Sequence, residues 1–138
     1  MKKISGIILV LIVVTLMSGC GTKSEDKDMG VGPVKNIVLK DTIDESLVSE
    51  GKALFDSKCV ICHSFDQKLV GPALDNVTTR RSAEWIMNMM LNPEGMVKEN
   101  ATAKALLAEY NNVPMINQSL SEKEARAILE YFRQLDSK

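Results

Sequence analysis

Gly51-Lys52-Ala53-Leu54-Phe55-Asp56-Ser57-Lys58-Cys59-Val60-Ile61-Cys62-His63 carries a helical face straight into two cysteines and the only histidine of the chain. Leu47, Gly51, Leu54 and Phe55 fall at i, i+4, i+7 and i+8, with Glu50, Lys52 and Asp56 elsewhere, which predicts a helix from about Asp44. Gly51 in the middle of the apolar face weakens that helix, and a close helix–helix crossing is the use such a residue serves. Downstream, Ser82 is an N-cap for a helix that runs to Leu91 and is stopped by Asn92-Pro93, with Trp85, Ile86, Met89 and Met90 on one face. A third helix is predicted from about Ala101 to Tyr110. Ser121-x-x-Glu124 is a capping box, and Ala125, Ile128, Leu129, Phe132 and Leu135 then repeat at helical spacing. No alternation long enough for a sheet follows residue 45. The expected fold is all-α, with two short helices between a first and a last helix.

The run Cys59-x-x-Cys62-His63 holds the chemistry. One helical turn spaces the two sulfurs to reach two substituents on one edge of a flat ring, and the adjacent imidazole then swings under the ring centre. That is the attachment pattern of a c-type haem, with Cys59 and Cys62 as thioethers and His63 as an axial ligand. A thioredoxin-like Cys-x-x-Cys sits in a βαβ setting, which is missing here. A zinc site needs a fourth ligand, and the one other cysteine, Cys20, lies far away.

With one histidine, the opposite side of the iron takes Met, Lys, water or nothing. Met87, Met89 and Met90 lie on a predicted helix, where packing is the default use of methionine, and Met29 lies in a polar segment. Met115 follows Pro114 in the loop Asn111-Asn112-Val113-Pro114-Met115-Ile116-Asn117, where the proline restrains the backbone beside a ligand side chain. Met115 is the expected second ligand, with Met96 in reserve.

The N-terminus reads as an export signal. Met1-Lys2-Lys3 precedes an apolar run, Ile7 to Met17, shorter than a comfortable membrane span, and Ser18-Gly19 precede Cys20. Leu16-Met17-Ser18-Gly19-Cys20 resembles the lipobox of bacterial lipoproteins, which implies a signal peptide over 1–19 and acylation of Cys20. Residues 20–44 are then a lipid-anchored tether, polar and interrupted by Gly30, Gly32 and Pro33, with a stretched limit of roughly 80 Å. Ile37-Val38-Leu39 is open to being a strand or a strap lying on a domain of residues 45–138. One lipid-bearing and two haem-bearing cysteines account for all three thiols.

Composition excludes other classes. The 138 residues hold 17 Lys and Arg against 18 Asp and Glu, a formal charge of −1 with no basic block, which argues against nucleic-acid binding through phosphate neutralisation. A single histidine rules out bis-histidine haem within one chain.

From about Ser46 to Leu135 the sequence resembles a class I monohaem cytochrome c of the bacterial lipoprotein type. Gly51-Lys52-x-Leu54-Phe55-x-x-x-Cys59-x-x-Cys62-His63 resembles the family's first helix and attachment site. Gly71-Pro72-x-Leu74 resembles the segment whose proline region accepts a hydrogen bond from the proximal histidine. Ser121 to Leu135 resembles the last helix, which crosses the first, so that Gly51 and Phe55 would meet the face around Ile128 and Tyr131. The resemblance also implies that Arg80, Arg81 and Trp85 hold the haem propionates; otherwise they are a surface pair and a core indole. One departure is that many members carry Met-Pro, whereas this chain has Pro114-Met115-Ile116.

The implied function is an electron carrier rather than an enzyme. It would be tethered to a bacterial membrane, facing the periplasm or cell exterior. Its partners would be redox proteins, a donor and a terminal reductase or oxidase. Two alternatives remain open at this level: a haem sensor or peroxidase-like protein with an open sixth position, and a haem docking subunit of a larger enzyme.

Overall fold

The computed structural model describes residues 28–138. The expected signal peptide and Cys20 therefore lie outside the described residues. Among the described residues there are six α-helices and no strand: α1 (Glu45–Lys58), α2 (Val77–Arg80), α3 (Ala83–Leu91), α4 (Pro93–Glu99), α5 (Ala101–Glu109) and α6 (Glu122–Asp136). None is long and apolar enough to cross a membrane.

Side-chain caps set most of the helix starts. Asp44 accepts from the amides of Ser46 and Leu47, Ser82 from Trp85, and Asn100 from Ala103. Ser121 and Glu124 close a reciprocal capping box. Asn92-Pro93 does end α3, yet it also begins α4. Asn92 accepts from the Gly95 amide at 3.3 Å, and Pro93 occupies the first helical position, where its missing N–H costs nothing.

α1 crosses α6 at Gly51. A Cβ there would fall on the backbone of Ala127, so only glycine lets the two helices approach this closely. One turn further on, the Phe55 ring stands 5.7 Å from Phe132, edge to face, and 5.9 Å from Tyr131, while Phe65 completes the cluster at 4.9 Å. Edge-on and tilted rings at these separations gain beyond area burial alone. This cluster closes the core directly behind Cys59.

The expected tether gives way, from Asp28, to a strap bound to the domain. Asn88 on α3, fully buried, donates to the carbonyls of Met29 and Val34 and accepts from the Val34 amide at 2.8–3.0 Å. The Asp28 carboxylate accepts from Asn100 and Thr102, and the Val31 N–H donates to Met96 Sδ. Further along, Arg126 and Arg133 donate to the carbonyls of Val38 and Lys40, and both pair with Glu130, which is 1% exposed. Two guanidiniums and the Asp44 amide satisfy that buried carboxylate, which is what a buried charge requires. Ile37-Val38-Leu39 is thus part of a strap and not a strand.

Asn88→Leu keeps the side-chain size but strands three backbone groups of the strap. The expected loss of stability in urea denaturation is about 2–4 kcal/mol, with faster proteolysis within residues 28–36. An unchanged midpoint and cleavage rate would mean that the strap is held elsewhere.

Candidate functional site

α1 ends at Lys58, but the backbone continues for one more turn. The Cys59 N–H donates to Phe55 O at 2.9 Å, and the amides of Cys62 and His63 both donate to Cys59 O, at 3.0 and 2.9 Å. The two thiols are therefore one turn apart, and His63 follows at once. The chain then folds back: Gly71 donates to Cys62 O, Leu74 to Ser64 O and Asp75 to Phe65 O, each at 2.9 Å. Residues 71–75 lie alongside 62–65 as a result.

That return fixes the imidazole. His63 Nδ1 donates to Pro72 O at 3.0 Å, because a carbonyl can only accept. Nε2 is left with its lone pair free for a metal, and the ring orientation is set from behind. Gly71 is required by contact. A Cβ there would stand 2.8 and 2.9 Å from Nδ1 and Nε2 of His63, so any larger residue would push the imidazole out of place.

The thiols are free and half-buried. Burial pushes the Cys59 thiol up from its ordinary value, and Lys58 opposes this only in part. Among the described residues no group of three or more His, Cys, Asp or Glu is placed to hold a metal ion. Large exposed apolar side chains adjoin this site in sequence: Val60 and Ile61 in the cysteine turn, Leu69 and Val70 before Gly71, and Val113 and Ile116 around Met115. Ile61 is 82% and Ile116 73% exposed. One histidine nitrogen with a free lone pair, two free thiols and apolar flanks fit a covalent haem.

The methionines separate by environment. Met96 is fully buried with its sulfur taken by the Val31 N–H, and Met87 and Met90 are core. Met115 is half-buried on the loop between α5 and α6 and packs against the core edge.

The three residues expected at the propionates part company. Arg80 donates to the carbonyls of Ala73 and Asp75, at 3.0 and 2.8 Å, and so braces the segment after Pro72. The Arg81 guanidinium lies 5.2 Å from the centre of the Trp85 ring. Trp85 is buried, and its indole N–H is spent on Asn100 Oδ1 at 3.2 Å. The indole therefore has no donor left for a haem carboxylate, and its place is in the core. Lys68, expected only as a charge at the rim of the haem edge, has its ammonium 4.1 Å from the centre of the Tyr110 ring, a contact that the sequence did not disclose. The two residues are 42 positions apart, with no motif linking them.

Comparison with known proteins agrees with this geometry. The family model Cytochrome c matches residues 48–136. Cytochrome c-551 of Pseudomonas denitrificans is 32% identical over 85 residues, 60% of this chain and 94% of that protein. Cytochrome c-551 of Stutzerimonas stutzeri is 31% identical over 93 residues, 62% of this chain and 77% of that protein. The solved structure of cytochrome c from Rhodothermus marinus superposes with a TM-score of 0.74 at 46% identity, covering 77% of this chain and 90% of that one. A family match over most of the chain, carried by the Cys59-x-x-Cys62-His63 turn on an all-α frame, means that this chain belongs to the cytochrome c family, as a class I monohaem electron carrier with one covalently bound haem c.

Proposed function

We propose that this cytochrome is a lipid-anchored carrier in a bacterial respiratory chain outside the cytoplasm, with His63 and Met115 as the two iron ligands. The observations that carry the reading are a histidine fixed from behind by Pro72 and a half-buried loop methionine at the core edge, whereas the fully buried Met96 has its sulfur taken by the Val31 N–H. When bound, haem c supplies the one-electron chemistry between Fe(II) and Fe(III). The chain's own residues hold and tune it. Cys59 and Cys62 would anchor the ring, and His63 and Met115 would supply its two iron donors. A thioether opposite histidine favours the reduced iron and raises the potential. Arg80 and Arg81 supply positive charge beside the return segment and α3, where haem carboxylates would find partners.

Partners would meet the molecule over a small, transient interface around Val60, Ile61 and Ile116, ringed by Lys58 and Lys68. Lys58→Glu is expected to slow electron exchange with an acidic redox partner about three- to tenfold at low ionic strength, converging on the unmutated rate as salt rises. The potential should stay the same. Rates indifferent to both mutation and salt would place docking on another face.

Export and acylation at Cys20 follow from the lipobox. Cys20 precedes Asp28, which is bound to the domain, by eight positions, which span at most about 26–29 Å. The anchored domain would then ride close to the bilayer, and confinement would raise its effective concentration toward membrane-bound partners. Mass spectrometry of the native protein is expected to find an acylated N-terminal Cys20. An unmodified cysteine within an uncleaved chain would overturn the anchor.

A further inference from the structure

We propose that Lys68 and Tyr110 form a clasp between the segment that follows His63 and the segment that carries Met115, keeping the Met115 loop closed, Lys68 and Tyr110 being positioning residues for the iron ligand. The inference rests on the reading of Met115 as a ligand. Lys68 sits on the loop between His63 and Pro72, and Tyr110 is the last residue before the segment that carries Met115. Their contact, 4.1 Å from ammonium to ring centre, joins the two segments. Among the described residues no hydrogen bond or ion pair links residues 59–75 to residues 111–120.

The loop has little else to hold it. Asn111, Asn112 and Ser119 take positive φ values of 57°, 58° and 54°. Its hydrogen bonds are short in range: Asn112 N–H to Leu107 O and Val113 N–H to Tyr110 O at its root, and Ser119 N–H to Asn117 Oδ1 near its end. Only Met115, Gln118 and Leu120 are half-buried between Asn111 and Leu120. Tyr110 is half-buried and caps α5, so its ring is a fixed platform, whereas Lys68 is exposed on a long stem and supplies the charge. A cation over a phenol ring at an exposed site is a weak attraction, sufficient to shift a loop equilibrium by about two- to fivefold. Such a shift matters where the loop is otherwise held only by hydrogen bonds at its root and end and by the packing of Met115 and Leu120 at the core edge.

The test uses the full-length haem-loaded protein with four single variants and one double. Lys68→Met keeps the stem and removes the charge; Tyr110→Leu removes the ring. Lys68→Arg and Tyr110→Phe keep both partners. Two readouts are taken: the rate of cyanide binding to the ferric protein, and hydrogen exchange at the Asn112 and Val113 amides. Lys68→Met and Tyr110→Leu are expected each to raise both rates about two- to fivefold, with Lys68→Arg and Tyr110→Phe unchanged. The double variant should do no more than either single one, because both remove the same contact. Additive effects, or an effect of Tyr110→Leu without one of Lys68→Met, would overturn the clasp.

Failure of the Met115 reading would look different. Unmutated ferric protein would then bind cyanide with no opening step, and Met115→Ala would leave the rate alone. Amide exchange would still decide the clasp, rising in both disruptive variants if it exists and in neither if it does not.

Discussion

Gly51→Ala is expected to cost the domain about 3 kcal/mol or more, a fall in Tm of more than about 12 °C. Local propensity points the other way, since alanine in a helix interior gains about 0.5–1 kcal/mol over glycine. Tertiary contact decides the sign. The new methyl would land on the Ala127 backbone, which has no rotamer to turn aside, so α1 and α6 must separate. Separation loosens Phe55 against Tyr131 and Phe132, and that cluster stands behind Cys59. Thermal and urea denaturation of the haem-loaded protein would measure the loss. A variant as stable as its parent would mean that the helices do not cross at residue 51.

Met115→Ala is expected to leave the haem covalently attached while opening the sixth position of the iron. The weak far-red band of methionine-bound ferric haem should vanish. The potential should fall on the order of 100–200 mV, a modest part of the roughly 0.8 V that axial ligands command. The reduced variant should bind carbon monoxide rapidly. Met96→Ala should do none of this, because its sulfur is held by the Val31 N–H inside the core; its effect should be on stability alone. If the far-red band survived in Met115→Ala and disappeared in Met96→Ala, the assignment of the ligand would be wrong.

What could be read from the residues was local. α1, α3, α5 and α6 have caps or apolar faces written within one or two turns, and the attachment turn occupies five consecutive positions. α2 was not legible, because its four residues have no periodicity. Its start is instead held by Asp136, which accepts from the Asn76 and Thr78 amides across the fold. α4 was hidden by Pro93, a residue that stops one helix and starts the next equally well. The strap was legible only as an open alternative at Ile37-Val38-Leu39, for a related reason: glycine, proline and polar residues describe a tether in isolation. Asn88, Asn100, Arg126 and Arg133, which hold it, lie at least 50 positions further along. At the site, the short return from His63 to Pro72 was legible through the family resemblance. The contact of Lys68 with Tyr110 and the engagement of the Trp85 indole by Asn100 depend on how distant segments are stacked.

The most direct test of the central claim is an optical redox titration of the full-length protein, with carbon monoxide added at the reduced end point. The account predicts one reversible one-electron transition of a covalently bound haem c. The far-red methionine band should be present in the ferric form, and the ferrous form should bind carbon monoxide slowly or not at all. A ferric spectrum without that band, together with immediate carbon monoxide binding on reduction, would contradict it and would make the protein an open-site haem sensor or peroxidase-like protein instead of an electron carrier.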